Sequence, residues 1–148
     1  MKIKLIVVGK TRSKFLMEGE KVYSERLKHY CKFTEFIISD VKNSGKLSAL
    51  ELKNKEGKSI LSAINNSAEV ILLDENGSSF SSIEFSNFIN KKILSSNKEL
   101  IFVVGGAFGF SDQVYKRSNL KLSLSKMTFS HQMIRLFFKE QLYRSHTI

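Results

Sequence analysis

The residues best placed to do chemistry sit in three short stretches of the C-terminal two-thirds. The first is Gly105-Gly106-Ala107-Phe108-Gly109, which follows the apolar β-branched run Ile101–Val104 and precedes Ser111-Asp112. A strand that ends in glycines and hands over to a helix lets backbone approach a ligand closely. A tight strand-to-helix connection would use the same residues. The second stretch is Leu73-Asp74-Glu75-Asn76-Gly77, which taken alone reads as a plain turn. The third is Leu124-Ser125-Lys126-Met127-Thr128-Phe129, with Ser130 and His131 directly after it.

These stretches gain meaning from the elements that must carry them. Lys2–Val8 reads as a strand closed by Gly9, and Ser13–Tyr30 as a helix with Leu16, Tyr23, Leu27 and Tyr30 on its stripe and Glu20 as the gap. Phe33–Ser39 is a second strand. Leu47–Ile64 is a helix expected to bury Leu50, Ile60, Leu61 and Ile64. Glu69–Asp74 is nearly all apolar, as in a strand covered on both faces. Ser81 with Glu84 forms a capping box that opens a helix to about Lys92. Leu100–Val104 and Leu120–Leu124 are further strands. Ser111 and Ser130 each suit a helix N-terminus. The alternation implies an α/β domain over residues 1–148, with a mostly parallel sheet between helices. In such a sheet a ligand lies beyond the carboxyl ends of the strands, where all three stretches converge. Leu73, Leu124, Met127 and Phe129 would then offer apolar walls for an adenine ring or a methionine chain.

The final helix is apolar on more than one side: Met133, Ile134, Leu136, Phe137, Phe138, Leu142 and Tyr143 do not fit one stripe. The sheet can cover one side and a second subunit the other, so a homodimer is expected. A helix sunk deep in a monomer core is the alternative. Glu140 and Arg144 have the spacing and order of a helical ion pair.

Composition narrows the partners. The chain has 148 residues, 24 Lys+Arg against 14 Asp+Glu, and a net charge of +10. That excess favours a polyanion, nucleic acid ahead of membrane, although a lysine-rich proteome would also produce it. No apolar run has the length of a membrane span. Leu5–Val8 is too short for a signal-peptide core, so a cytoplasmic location is expected. The single cysteine, Cys31, permits neither an intramolecular disulfide nor a cysteine-based zinc site. His29, His131 and His146 show no metal-ligand spacing, and no metal is expected. His131 opens the last helix, where a histidine bonded to the backbone would serve equally well. No phosphate-loop or nucleophile-elbow motif occurs.

Leu122-Ser-Leu-Ser-Lys-Met-Thr-Phe-Ser-His-Gln-Met-Ile-Arg135, followed by Glu140-Gln-Leu-Tyr-Arg144, resembles the signature of the RlmH family. These are SPOUT-class methyltransferases that modify N3 of a pseudouridine in large-subunit ribosomal RNA. The likeness also takes in the Lys2–Thr11 start, Lys55-Glu56-Gly57, Leu73-Asp74 and the glycine turn. It implies a C-terminal deep trefoil knot, an exception to the rule against knotted chains. It further implies S-adenosylmethionine as cofactor, held in a bent form by Leu73, Gly105, Gly106, Leu124, Ser125, Lys126, Met127, Thr128 and Phe129. His131, Arg135, Tyr143 and Arg144 are implied as the catalytic group, 23S rRNA in the ribosome as substrate, and a homodimer as the working form.

The chain departs from the family pattern in three places. Ala107-Phe108 and Ser130 stand where the family usually has proline. Members also continue into a short tail with a Tyr-His pair, whereas the sequence here ends at Ile148. Catalysis is expected to depend on that tail, and cofactor binding is not. A ribosome-binding protein that keeps the fold without catalysis is the alternative function. A nucleotide-dependent oxidoreductase is disfavoured, because the glycine turn comes late and no first-strand fingerprint precedes it.

Overall fold

The computed structural model describes residues 1–95 and 99–148. The element order is β1 (Lys2–Val8), α1 (Lys14–Leu27), β2 (Lys32–Ile38), α2 (Ala49–Ser62), β3 (Glu69–Ser79), α3 (Ser82–Ser95), β4 (Leu100–Val104), α4 (Asp112–Arg117), β5 (Leu120–Ser123) and α5 (Met133–Thr147). The five strands form one sheet in the order β2-β1-β4-β3-β5, and every pairing is parallel.

Alternation along each strand builds two cores. Ile3, Leu5 and Val7 face one side with Ile71, Leu73, Phe102 and Val104, under α1, α3 and α5. Ile6, Val8, Val70, Leu72, Ile101 and Val103 face the other, under α2 and α4. The two-residue period of a strand requires this division. Register is in phase across the centre, where Ile3 pairs with Leu100 and Glu69 pairs with Leu100 on its other edge.

Local signals read from sequence are satisfied at several ends. Ser81 and Glu84 exchange both capping-box hydrogen bonds, at 3.0 and 2.9 Å. Ser111 Oγ accepts from the Val114 amide, and Ser130 Oγ from the Met133 amide at 3.0 Å. Glu140 and Arg144 form the expected i,i+4 pair. A second capping box, Ser48 with Glu51, starts α2 at Ala49, two residues after the expected Leu47.

Four expectations change. Glu20 is no gap in α1: it is buried, bonded to Lys139 Nζ at 3.1 Å and to Thr11 Oγ1 at 2.6 Å. Leu50 is 62% exposed, because Glu56, Gly57 and Ile60 form the buried side of α2. Residues 75–77 are not a free turn. β3 bulges between Leu73 and Ser78 and then resumes, so that both residues face Leu122 of β5. Gly77 permits this, since a Cβ there would lie 2.5 Å from the Lys121 carbonyl. Lastly, α5 lies between α1 and α3 and covers much of its apolar surface within one chain. Phe138 and Leu142 are fully buried there, each contributing roughly 2 kcal/mol. Phe137 and Phe129 remain 39% exposed, their rings 4.8 Å apart.

Candidate active site

A cavity of about 540 Å³ opens at the carboxyl ends of β3, β4 and β5. This is the size range of a small-molecule site. Leu73, Val104 and Leu122 form its floor. Val104 closes β4, Leu122 stands one residue before the end of β5 and Leu73 immediately precedes the β3 bulge, so the sheet itself sets the floor's position.

The glycine turn is one wall. Gly106 and Gly109 form an isolated antiparallel bridge, and the Gly109 amide donates to the Gly106 carbonyl at 3.1 Å. Gly109 has φ +83°, in the left-handed region that glycine occupies without strain. A Cβ on Gly105 would lie 3.1 Å from the Phe110 ring, and one on Gly106 would lie 2.7 Å from the Glu56 carboxylate oxygens. The turn is therefore packed from behind and offers bare backbone to the cavity. Glu56 is buried on α2, and burial, reinforced by the charge of Asp40, holds its carboxyl above the usual range.

The Leu124–Ser130 loop is the opposite wall. Ser123 Oγ donates to the Ser125 carbonyl at 2.8 Å, and the Met127 amide donates to Ser125 Oγ at 3.0 Å. These local bonds shape the loop without any partner. Leu124, Ser125, Met127, Thr128 and Phe129 all line the cavity. Lys126 lies in the same loop with its side chain exposed and is not part of the lining. Of the nine residues expected to hold the cofactor, the other eight meet around one space.

The expected catalytic group divides. His131 lines the cavity. Its pKa is lowered by burial first and then by the Arg135 and Arg12 charges, against an opposing pull from Asp40. The imidazole is thus neutral and able to accept a proton near pH 7. Arg135 is 1% exposed and stands behind the site. Its Nε donates to the His131 carbonyl at 2.9 Å, Nη1 to the Gly9 carbonyl at 2.7 Å and Nη2 to the Val8 carbonyl at 2.7 Å. Tyr143 lies two turns further along α5, packed on Tyr23 and Tyr30 with Arg26 over its ring. Tyr30 adjoins the start of β2, so this cluster is at the opposite edge of the sheet from the cavity. Arg144 is exposed and pairs with Glu140, also off the cavity.

Tyr115 is a lining residue that sequence reasoning missed. Its Oη donates to Asp74 Oδ2 at 2.5 Å, tying α4 to the β3 bulge across the mouth. Burial, then the Asp74 bond and charge, push its phenol well above the ordinary value. The available signal was its place one turn after the Ser111 cap, on the helix that the glycine turn launches.

The site offers a small ligand both apolar walls and bare backbone. Glycines supply the close approach, and leucine, methionine and phenylalanine supply the walls. The acidic side of the mouth, Asp74 and Glu75, suits a positively charged group. A family model described as "Predicted SPOUT methyltransferase" matches residues 1–148. Curated relatives named "Ribosomal RNA large subunit methyltransferase H" are similar over the full chain. That of Christiangramia forsetii is 56% identical over 148 residues, covering 100% of this chain and 94% of the relative. Those of Flavobacterium psychrophilum and Parabacteroides distasonis are 55% and 51% identical, with the same coverage. With its parallel sheet, its cavity at the late glycine turn and a family match from end to end, the chain belongs to the SPOUT methyltransferases.

Proposed function

We propose that this protein is an S-adenosylmethionine-dependent methyltransferase that modifies N3 of a pseudouridine in the 23S rRNA of the ribosome. The observation that carries the reading is the convergence of Leu73, Gly105, Gly106 and the Leu124–Phe129 loop on one cavity with His131 at its edge. When bound, the cofactor supplies a methyl group activated by its sulfonium. The chain's own residues do the rest. Backbone of the glycine turn and of the Ser125–Phe129 loop orients the ligand, and Leu73 and Leu124 exclude water from it, with Met127 exposed at the rim. Lys126, a residue of this loop, faces solvent and joins through its backbone.

An imide nitrogen is a poor nucleophile until its proton leaves. His131, neutral and facing the cavity, is assigned as the group that accepts this proton at a ring nitrogen. Arg135 is a positioning residue: it fixes the His131 backbone and the end of β1. Alignment of the acceptor nitrogen with the methyl group accounts for much of the remaining acceleration. The knotted C-terminal passage of the family is part of this reading, with the glycine turn and the Leu124–Phe129 loop as its walls. So is a cytoplasmic homodimer, in which a second copy covers Phe129 and Phe137 and brings Tyr143 and Arg144 into play near the RNA. Among the described residues no helix is long and apolar enough to cross a membrane.

The test is twofold. Calorimetry should show S-adenosylmethionine binding to the purified chain. A strain lacking the gene should lose methylation of one pseudouridine in 23S rRNA, and the gene should restore it. Unchanged rRNA methylation in the deletion strain would overturn the reading, and loss of activity with a chelator would overturn its metal-free form.

A further inference from the structure

We propose that Arg12, on the loop between β1 and α1, is an RNA-anchoring residue that holds a phosphate beside the base presented to His131. This rests on the cavity being the methyl-transfer site, and it names a contact on the acceptor side of that site.

The loop runs Gly9-Lys10-Thr11-Arg12-Ser13 and is tied to the cavity rim from two directions. Gln132, the residue after His131, accepts from the Arg12 amide at 2.9 Å and donates from Nε2 to the Lys10 carbonyl at 3.2 Å. From beneath, Arg135 holds the Val8 and Gly9 carbonyls at 2.7 Å and the Thr11 hydroxyl at 3.3 Å. A surface loop rarely has its backbone clamped so fully by side chains from a segment more than a hundred residues away. The clamp buries no large apolar side chain of the loop. What it fixes is where the loop's two cations, Lys10 and Arg12, stand relative to His131.

The Arg12 side chain is available. It is 81% exposed, and its partner Asp40, at 3.4 Å, is 60% exposed. A pair so long and so wet contributes little and exchanges readily. Asp40 holds the guanidinium until a better anion arrives. A phosphate accepts the planar fork through two oxygens, which a carboxylate at 3.4 Å does not match. The chain's net charge of +10 steers RNA towards the protein, and Arg12 gives that attraction a fixed point next to the site.

The experiment uses the full chain, large ribosomal subunits from a strain lacking the gene, and S-adenosylmethionine. Subunit binding is measured over a salt series, and cofactor binding by calorimetry, for wild type, Arg12→Ala, Arg12→Lys and Lys28→Ala. Lys28 is an exposed cation at the end of α1, at the far edge of the sheet. Arg12→Ala keeps the backbone amide that Gln132 holds, so folding is preserved. It should weaken subunit binding about tenfold and lower the salt slope by about one. Cofactor affinity should stay within about twofold. Arg12→Lys should recover the slope and only part of the affinity, and Lys28→Ala should match wild type. An Arg12→Ala variant with wild-type subunit affinity and slope overturns the proposal, as does an equal loss in Lys28→Ala. If wild type binds subunits but no cofactor, the methyltransferase reading fails while the slope still decides Arg12.

Discussion

Arg135 donates from Nη1 to the carbonyl of Gly9 at 2.7 Å, joining the start of the last helix to the end of the first strand. Three backbone carbonyls depend on this one buried side chain: Val8, Gly9 and His131. Truncation leaves all three without this donor, and the Val8 and Gly9 bonds are buried. Arg135→Ala should therefore cost on the order of 3–5 kcal/mol in urea unfolding. Arg135→Lys should recover little, because an ammonium cannot fill a fork of carbonyls. A loss below about 1 kcal/mol would mean that the carbonyls find other partners.

Lys139 is the second buried cation of the same helix, 2% exposed and 3.1 Å from both Glu20 and Glu35. With Arg135 nearby, two cations balance two carboxylates under the sheet. Removing the lysine alone strands two carboxylates, while removing all three leaves Arg135 on its backbone carbonyls. Lys139→Met should cost about 3–5 kcal/mol. Adding Glu20→Gln and Glu35→Gln to it should restore most of the melting temperature. Equal melting of the single and triple variants would show that packing of the lysine stem, and not charge, holds α1 to α5.

These buried ions explain where sequence reasoning stopped. The strands were legible because each alternates or runs apolar over its whole length, and Leu100–Val104 matches its strand end to end. The convergence of Leu73, Gly105 and Leu124 followed from the rule that parallel strands present their carboxyl ends on one edge. Glu20 looked like an interruption because its partner is Lys139, 119 positions away by numbering, and no local period encodes such a contact. Arg135, expected in the catalytic group, is buried behind the cavity, and its partners, the Val8 and Gly9 carbonyls, are equally distant in sequence. The β3 bulge was hidden because Glu75-Asn76-Gly77 has turn composition. What keeps it in the sheet is the pairing of Ser78 and Ser79 with β5. The apolar sides of α5, which suggest a second subunit, are covered in part by α1 and α3, while Phe137 stays exposed.

Gly77 tests that bulge directly. An added Cβ would lie 2.5–2.7 Å from the backbone of Lys121 and Leu122, where no flexible side chain can yield. Gly77→Ala must push β5 away from β3, and Leu122 and Leu124 carry the cavity with them. The expected cost is about 2–3 kcal/mol of stability and a measurable loss of S-adenosylmethionine affinity. Gly45→Ala, where nothing lies within 4 Å, is the control and should bind like wild type. An unchanged Gly77→Ala protein would place β5 further from the bulge than the structure does.

His131 links stability to the chemistry through pH. Its folded pKa is depressed, by burial first and then by Arg135 and Arg12. Between that value and the unfolded value of 6.5, the unfolded chain binds more protons than the folded one. Stability therefore rises with pH through this window, is fully present above it and is lost on acidification. His146, also depressed by burial, adds to the same slope. His131→Gln should flatten part of the slope just below pH 6.5, and His146→Gln a further part. Only His131→Gln should change the reaction. In its proposed role as proton acceptor His131 must be neutral, so the methyl-transfer rate on ribosomal subunits should fall on the acid side with the depressed pKa of this histidine. The His131→Gln rate should be lower by about 10²–10⁴-fold and lack that limb, with cofactor affinity retained. A rate that keeps its acid limb in His131→Gln would assign the proton to another group.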